Sequence, residues 1–308
     1  MRPPTWVRAD LSRPCFTGTS RQHLGDLIAE LADPWTAQHQ AALATRRGHG
    51  RRRAAGAGPR CRLALCDRVL VTLVVLRFQL PHQALAVLVG VDRATVTRAV
   101  HEVRPLLARR GLAVPGQPGV RLRTLADVFA YAEACGVELR LDASETQVRR
   151  PRAHRPGRRA FVSGKRKQNT IKATTCSDGQ GRTLWSGAVR PGRMHDQTAV
   201  KTEGIADLLG QHPKVRVRVD ERYRGLATAF PEQVCTPPRK PPKDAPAEVV
   251  ETWKQARKRQ SSRRICVEHA IAQHTQWRSL QRWLGRREYF GEAYLAVAGL
   301  VSDRAARR

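Results

Sequence analysis

Residues 137–142 have the sequence VELRLD and residues 215–220 have the sequence VRVRVD, and these two matching stretches decide the fold. In each, an apolar residue alternates with a charged one, which is the two-residue period of a β-strand. Because successive side chains point to opposite faces, Asp142 and Asp220 lie on the polar side of their strands, at the C-terminal end. If the strands are parallel neighbours, both carboxylates reach the same edge of the sheet, where ligand sites form.

The segments around these strands predict an α/β domain over residues 122–308. We expect strands at 168–176 and 182–190, a helix at 196–209, and a basic, proline-rich insertion at 231–262 with a short helical pattern in its second half. A long final helix begins near Ser262, either continuous or broken at Gly285. This order of strands and helices is typical of an α/β layer fold with a mixed sheet.

The first part of the chain predicts a separate helical unit. Residues 1–62 form a helical segment followed by a basic linker, and residues 63–113 have the pattern of a helix-turn-helix, with Gly90 in the turn and Asp92 as the cap of the third helix. Four polar side chains of the third helix are available for a DNA groove: Arg93, Thr95, Thr97 and Arg98. Trihelical packing without a DNA contact is the alternative. A Pro/Gly linker at 114–121 separates this unit from the α/β domain.

The composition indicates the kind of partner. The 308-residue chain has 56 Lys and Arg against 26 Asp and Glu, a formal charge of +30, which favours nucleic acid or an acidic membrane surface. An apolar run of about 18 residues is absent from the sequence, and this weakens the membrane alternative. Seven cysteines without a CxxC pair indicate a reducing cytosol rather than a disulfide framework.

A third acidic residue and several basic ones extend the candidate site. Glu268 lies on the final helix, one turn after Arg264, so the two form either an ordinary i,i+4 pair or part of a larger site. In the second case Glu268 joins the two aspartates in a Mg²⁺ site, because Mg²⁺ prefers carboxylate oxygens. Basic runs beside Asp142 are either a solvated face or contacts to a phosphate backbone. Their members are Arg149, Arg150, Lys165 and Lys167.

Four segments, in this order, resemble the catalytic segments of DDE-superfamily transposases. They are LRLDASETQVRRP (139–151), GRMHDQTAV (192–200), VRVDERYRGL (217–226) and RRICVEHAIAQHTQWR (263–278). The resemblance is strongest to the bacterial insertion-sequence-five family and its Harbinger-like relatives, and it runs from about Leu63 to Arg308. It includes the R-x-x-x-E spacing of Arg264 and Glu268.

The resemblance implies a ribonuclease H-like catalytic domain in which Asp142, Asp220 and Glu268 bind two Mg²⁺ or Mn²⁺ ions. It implies metal-dependent cleavage of double-stranded DNA at transposon ends, followed by strand transfer into target DNA. The helix-turn-helix would bind the terminal inverted repeats, and pairing of two ends implies a homodimer or larger assembly in the bacterial cytoplasm, at the nucleoid. A catalytically inactive or repurposed derivative, which binds inverted repeats without cutting them, is the alternative.

Several positions depart from the family pattern or have two interpretations. Arg222 stands where the family often has a Gly, and Thr275 stands where a Lys or Arg is usual. Asp196 either caps the helix that it begins or lies behind the metal site. Glu145 and Glu221 are acids that we do not expect in the triad, because Glu221 has the wrong strand parity and Glu145 lies three residues beyond Asp142.

Overall fold

The computed structural model describes residues 5–50, 61–150, 158–187 and 189–307. Part of the predicted basic linker, residues 51–60, lies outside this range. In the described part of the chain, six helices precede the first strand: α1 Thr5–Leu11, α2 Pro14–Thr17, α3 Arg21–Arg47, α4 Leu65–Phe78, α5 His82–Val89 and α6 Arg93–Arg109. Within the described residues, every helix is too short or too polar to cross a lipid bilayer.

Helices α4, α5 and α6 form the predicted helix-turn-helix. Gly90 ends α5 with φ 67°, a left-handed conformation that favours glycine and turns the chain into α6. Asp92 has the extended backbone of an N-cap residue, but its carboxylate accepts a hydrogen bond from Arg62 Nη1 at 3.2 Å. Buried apolar residues from α1, α4, α5 and α6 form one cluster, including Leu85 and Val96.

The predicted linker at 114–121 lies inside a small hairpin. Strands β1 Leu112–Ala113 and β2 Arg121–Leu122 pair antiparallel on either side of it. The Ser302 hydroxyl near the C-terminus accepts a hydrogen bond from Ala113 N at 2.9 Å, so the C-terminal segment packs directly on this hairpin. The sequence hides this contact, because the Pro and Gly residues that form a tight turn also occur in linkers.

The remaining elements form the α/β layer. They are, in order, α7 Leu125–Cys135, β3 Leu139–Val148, β4 Thr170–Ser177, β5 Thr183–Ser186, β6 Arg190–Pro191, α8 Asp196–Thr202, α9 Ile205–Gln211, β7 Val217–Arg218, α10 Arg224–Ala229, β8 Val234–Cys235, α11 Ala247–Thr275, α12 Arg278–Gln281, β9 Arg282–Trp283 and α13 Phe290–Ala306. The predicted helix at 196–209 is divided at Gly204, whose φ is 72°.

The sheet has the order β5-β4-β3-β7-β8, with β6 on β4 and β9 on β3. Strands β3, β4 and β5 are antiparallel neighbours, whereas β7 is parallel to both β3 and β8. The ribonuclease H-like mixed sheet is therefore confirmed, after an all-α helix-turn-helix unit. The sheet is mixed because the turn at 178–182 joins β4 to β5 as a hairpin, while helices α8 and α9 carry the chain to β7.

The predicted insertion at 231–262 is wrong in its extent. Val234 and Cys235 form β8, which pairs with β7 in the sheet, and α11 begins at Ala247 instead of near Ser262. The first half of α11 is mostly exposed and polar. It therefore lacks the apolar face by which sequence periodicity reveals a helix.

Two apolar cores lie on opposite sides of the sheet. One contains buried residues from α7, α9 and the first residues of β3, with Phe129 and Leu209 among them. The other joins α3, α4 and α6 to α13, and it includes Ile171 of β4 and Trp277 before α12. The helix-turn-helix and the sheet consequently share one core.

Candidate active site

Asp142 lies on β3, and Asp220 follows the parallel neighbouring strand β7 by two residues. Leu139 pairs with Val217 and Arg140 with Arg218. Continuing this register by two residues places Asp142 opposite Asp220. Asp142 is not at the end of its strand, as the sequence predicted, but is the fourth residue of β3. The strand continues because β4 pairs with it as far as Gln147.

Asp142 is a partly buried acid whose carboxylate accepts hydrogen bonds from two donors. Its Oδ1 accepts a hydrogen bond from Ala143 N at 2.8 Å, and its Oδ2 accepts one from Arg264 Nη2 at 3.2 Å. Burial raises the pKa of Asp142 to about 6 against the opposing charge of Arg264, and the negative charges of Asp220 and Glu268 raise it further. All three carboxylates are therefore close enough to interact.

Glu268 reaches this group from the opposite layer. It is exposed on α11, one turn after Arg264, as the sequence predicted. Arg264 bonds Asp142 across the site, so its role is larger than that of an i,i+4 partner for Glu268. Helix α11 thus brings an acidic and a basic side chain to the edge of the sheet at which β3 and β7 place the two aspartates.

Asp220 begins a turn that places a second guanidinium at the site. Its Oδ1 accepts a hydrogen bond from Arg222 N at 2.9 Å, which caps the short 3-10 helix Glu221–Tyr223. The Arg222 side chain folds back, with Nε 3.8 Å from Asp220 Oδ2 and Nη1 donating to Asp196 Oδ2 at 3.1 Å. Asp196 is buried and also accepts a hydrogen bond from Lys172 Nζ.

The carboxylate oxygens of Asp142, Asp220 and Glu268 suit a hard divalent cation, although the three side chains do not converge tightly on one point. Three carboxylates without sulfur or imidazole are the ligands that Mg²⁺ and Mn²⁺ prefer, and a cation would offset the burial of Asp142. Over the described ranges, no three His, Cys, Asp or Glu side chains are gathered tightly enough to hold a metal ion. Arg222 and Arg264 contact Asp220 and Asp142 instead.

Comparison with protein families decides the class of this site. A sequence model described as DDE superfamily endonuclease matches residues 141–301, just over half of the chain. A second, described as the helix-turn-helix of DDE superfamily endonuclease, matches residues 61–113. The chain belongs to the DDE superfamily endonucleases. Endonucleases of this superfamily generally use divalent metals. Among curated proteins, none matches the chain.

The cleft of this DDE superfamily member lies beside Asp220. It has a volume of about 300 Å³ and is lined by the acids Asp220 and Glu221 together with Arg222, Arg257 and Arg264. A larger cavity, of about 460 Å³, lies between the β1–β2 hairpin, β5 and α13, and shares no residue with the cleft. Its lining contains no carboxylate, so it is not where the endonuclease chemistry is expected.

Only some of the predicted DNA-binding residues lie near the carboxylates. Arg149 and Arg150 are exposed just after β3, and Lys165 and Lys167 are exposed in the turn before β4. Six residues separate Asp142 from the end of β3, which is about 20 Å along an extended strand. These four residues therefore form a basic end of the sheet that is distinct from the cleft, whereas Arg264 lies within it.

The candidate DNA-binding residues of the helix-turn-helix differ in the exposure and the hydrogen bonds of their side chains. Arg93 and Arg98 are exposed on α6, and Arg98 Nη2 donates to Thr95 Oγ1 at 3.0 Å. Thr97 is half-buried, and its hydroxyl lies 2.9 Å from His82 Nδ1 on α5. Thr97 thus fixes the angle between the two helices, and the arginines are the better candidates for a nucleic-acid contact.

The group formed by Lys172, Asp196 and Arg222 was missed from the sequence. Asp196 is the first residue of α8, and its carboxylate pairs with Lys172 and with Arg222, which also contacts Asp220. Both interpretations of Asp196 stay predictions. The available signal was Arg222, a charged residue where the resembled family often has a Gly. Thr275, the other departure, is the last residue of α11, and its hydroxyl donates to Ala272 O at 3.0 Å.

Glu203 is a buried acid behind the cleft that predicts a pH dependence of stability. Burial raises its pKa to about 7, against the charge of Arg190 and a hydrogen bond from Thr174. Because its pKa is raised, Glu203 contributes its full share to the stability of the fold below the pKa that it has in the unfolded state. This contribution is lost as pH rises through about 7. We compare the free energy of unfolding of Glu203→Gln with that of the wild type. We expect this difference to be about 2 kcal/mol more favourable to the variant at pH 8.5 than at pH 5.

Urea unfolding of both proteins at the two pH values measures this difference. The comparison of variant with wild type cancels the titration of other groups. A stability difference that is the same at both pH values would contradict the assignment.

Proposed function

We propose that the chain is a transposase of the insertion-sequence-five or Harbinger-like type, with Asp142, Asp220 and Glu268 as its metal-binding triad. The observation that carries this proposal is the parallel pairing of β3 with β7, whose register sets Asp142 opposite Asp220. The effect of Glu268 on the pKa of Asp142 supports the third member. The substrate would be double-stranded DNA, and pairing of two transposon ends would require a homodimer or larger assembly.

Each residue of the site would have a separate task. Asp142, Asp220 and Glu268 would hold two Mg²⁺ or Mn²⁺ ions, which supply an activated attacking oxygen and charge stabilisation of the leaving oxygen. Arg264 would orient Asp142 through its 3.2 Å contact. Water would be the first nucleophile, at the transposon end, and the freed 3′-OH would be the second, in strand transfer. We place this activity in the bacterial cytoplasm, at the nucleoid.

A derivative that binds repeats without cutting them is the second candidate. Two observations favour it: Arg222 contacts an acid of the triad, and Thr275 stands where a basic residue is usual in the resembled family. Both candidates share the helix-turn-helix and differ only in cleavage.

Cleavage of labelled DNA that carries the flanking inverted repeat tests the proposal. The full chain is incubated with this DNA in Mg²⁺, Mn²⁺ or EDTA, and a duplex with a scrambled repeat serves as the control. A transposase nicks at the repeat end only with metal, and a target plasmid then receives the label. Binding without cleavage in either metal would favour the second candidate, and equal cutting of both duplexes would indicate a stand-alone nuclease.

The exposed arginines at the start of α6 give a prediction for DNA binding. We expect Arg93→Ala and Arg98→Ala each to weaken binding about five- to tenfold, because each loses a contact to a base or a phosphate. Where the lost contact is to a phosphate, the slope of log affinity against log salt concentration becomes shallower by about one counterion. Fluorescence anisotropy at several salt concentrations measures both quantities.

Arg109→Ala is the matched control for these variants. Arg109 is exposed on the same helix, and its loss changes the net charge equally. It lies 16 residues from Arg93, about 24 Å along the helix axis. Equal losses of affinity in all three variants would indicate a general charge effect and contradict a groove contact at the start of α6.

A further inference from the structure

The side chain of Arg222 lies between a buried acid, Asp196, and an acid at the cleft, Asp220. Its Nη1 donates to Asp196 Oδ2 at 3.1 Å, and its Nε lies 3.8 Å from Asp220 Oδ2. The Asp196 side chain is 4% exposed, whereas that of Arg222 is 42% exposed. One end of the guanidinium is therefore fixed by a buried partner, and the other reaches a candidate metal ligand at the cleft.

The buried end of this contact is firmly placed. Asp196 also accepts a hydrogen bond from Lys172 Nζ, and Lys172 Nζ in turn donates to Met194 O at 3.0 Å. Asp196 therefore keeps its position whether or not Arg222 contacts Asp220. Arg222 can leave Asp220 while remaining bonded to Asp196.

The two guanidinium groups balance most of the charge of the triad. Arg264 contacts Asp142 and Arg222 contacts Asp220, so two positive charges face the three negative charges of Asp142, Asp220 and Glu268. A cationic group within about 4–6 Å of a carboxylate reduces the attraction of that carboxylate for another cation. The effect is smaller where water reaches the pair, as it does at Arg222.

We propose that Arg222 is an internal competitor for the divalent cation, occupying Asp220 until metal displaces it and then remaining on Asp196 at the mouth of the cleft. This inference rests on the proposed function, because it takes Asp220 to be a metal ligand. In the displaced position the guanidinium faces the cleft, where a DNA phosphate can take the place of the Asp220 carboxylate. Arginine suits this exchange, because its planar donors match carboxylate and phosphate equally well.

Mn²⁺ binding to the full chain, without DNA, tests the competition. The free ion is followed by electron paramagnetic resonance during a titration of wild type, Arg222→Gln and Arg222→Lys. We expect Arg222→Gln to bind Mn²⁺ roughly tenfold more tightly than wild type, because the competing charge is gone. Arg222→Lys keeps the charge and is expected to stay within about threefold of wild type.

Two further variants separate the local effect from net charge and folding. Arg216→Gln removes the same charge from the exposed start of the same segment, four residues before Asp220 and about 13 Å along it, and leaves Mn²⁺ affinity unchanged. Arg222→Gly repeats the Gln experiment with the residue that the resembled family often has there. Wild-type affinity in both Arg222→Gln and Arg222→Gly overturns the inference.

Asp220→Asn distinguishes this failure from failure of the proposed function. If wild type binds Mn²⁺ more tightly than Asp220→Asn but Arg222→Gln equals wild type, the metal site stands and the competition does not exist. If no protein in the series binds Mn²⁺ more tightly than Asp220→Asn, both the competition and the proposed metal site are wrong.

Discussion

Replacement of Asp142 with Asn is expected to lower metal-dependent DNA cleavage about a thousandfold while leaving DNA affinity within about twofold of wild type. The carboxylate is partly buried beside the other two acids of the proposed triad, and a neutral amide there weakens the hold on a divalent cation. Metal ions contribute several kcal/mol to stabilising the transition state of phosphoryl transfer, which corresponds to about three powers of ten in rate. The helix-turn-helix, which carries the proposed DNA contact, is unaffected.

Single-turnover cleavage of repeat-end DNA and anisotropy of the same duplex measure the two quantities. Glu221→Gln is the matched control, because Glu221 is exposed beside Asp220 and pairs with Arg257 at 3.1 Å on the rim of the cleft. Its cleavage rate is expected to stay within about threefold of wild type, since exposed ion pairs contribute little. Residual cleavage above a tenth of wild type in Asp142→Asn would remove Asp142 from the triad.

Replacement of Asp303 with Asn is expected to destabilise the fold by about 3–5 kcal/mol. Asp303 is buried on α13, where it accepts hydrogen bonds from Arg110 Nη1 at 2.8 Å and from Arg121 Nη1, and lies 3.1 Å from His23 Nε2. Removing this charge leaves the buried Arg110 with Glu30 as its remaining acidic partner. The loss of a buried ion-pair partner is costly because the remaining charge is poorly solvated.

Asp303 also makes the stability of the fold depend on pH in the acid range. Burial alone would raise the pKa of Asp303, but the hydrogen bond to His23 and the charges of Arg110 and Arg121 lower it well below its usual range. A lowered pKa means that the stabilisation is present above about pH 4 and is lost as the pH falls below that value. The Asn variant therefore lacks this part of the acid dependence.

Thermal unfolding at pH 7 checks the first effect, with an expected fall in Tm of roughly 10 °C. Urea unfolding at pH 7 and pH 3 checks the second. Asp26→Asn is the control, because Asp26 pairs with Arg307 at 2.8 Å on the surface and its loss is expected to leave Tm unchanged. A fall in Tm as small as that of the control would show that the ion cluster does not stabilise the fold.

The sequence predicts the main elements of this site because they depend on local patterns. Alternation of valine with charged residues predicts the strands that lead to Asp142 and Asp220, and β3 and β7 meet the condition that these strands are parallel neighbours. The helix-turn-helix follows from Gly90 and the apolar spacing around it. Trp277 and Trp283 are buried in the core that α13 shares with the sheet.

The parts that escaped prediction depend on contacts between distant segments. Strand β3 extends beyond Asp142 because β4 and β9 pair with it, although the alternation of charge stops there. The first half of α11 is a helix without an apolar face, so its sequence resembles an insertion. The contact of Arg222 with Asp196 joins the 3-10 helix after β7 to the start of α8, 26 residues away, and neither segment has a pattern that predicts it.

The core shared by α6, α13 and the sheet has a consequence for where DNA would be cut. Buried residues of α6, such as Val103, lie in one cluster with Tyr294 and Val297 of α13 and with Ile171 of the sheet. The Tyr294 hydroxyl also lies 3.1 Å from that of Ser144, two residues after Asp142. Packed cores transmit displacement instead of absorbing it. In the proposed transposase, the number of base pairs between the recognised sequence and the scissile phosphate would then be set by the fold, and a mutation that shifts α13 would move the cut along the DNA.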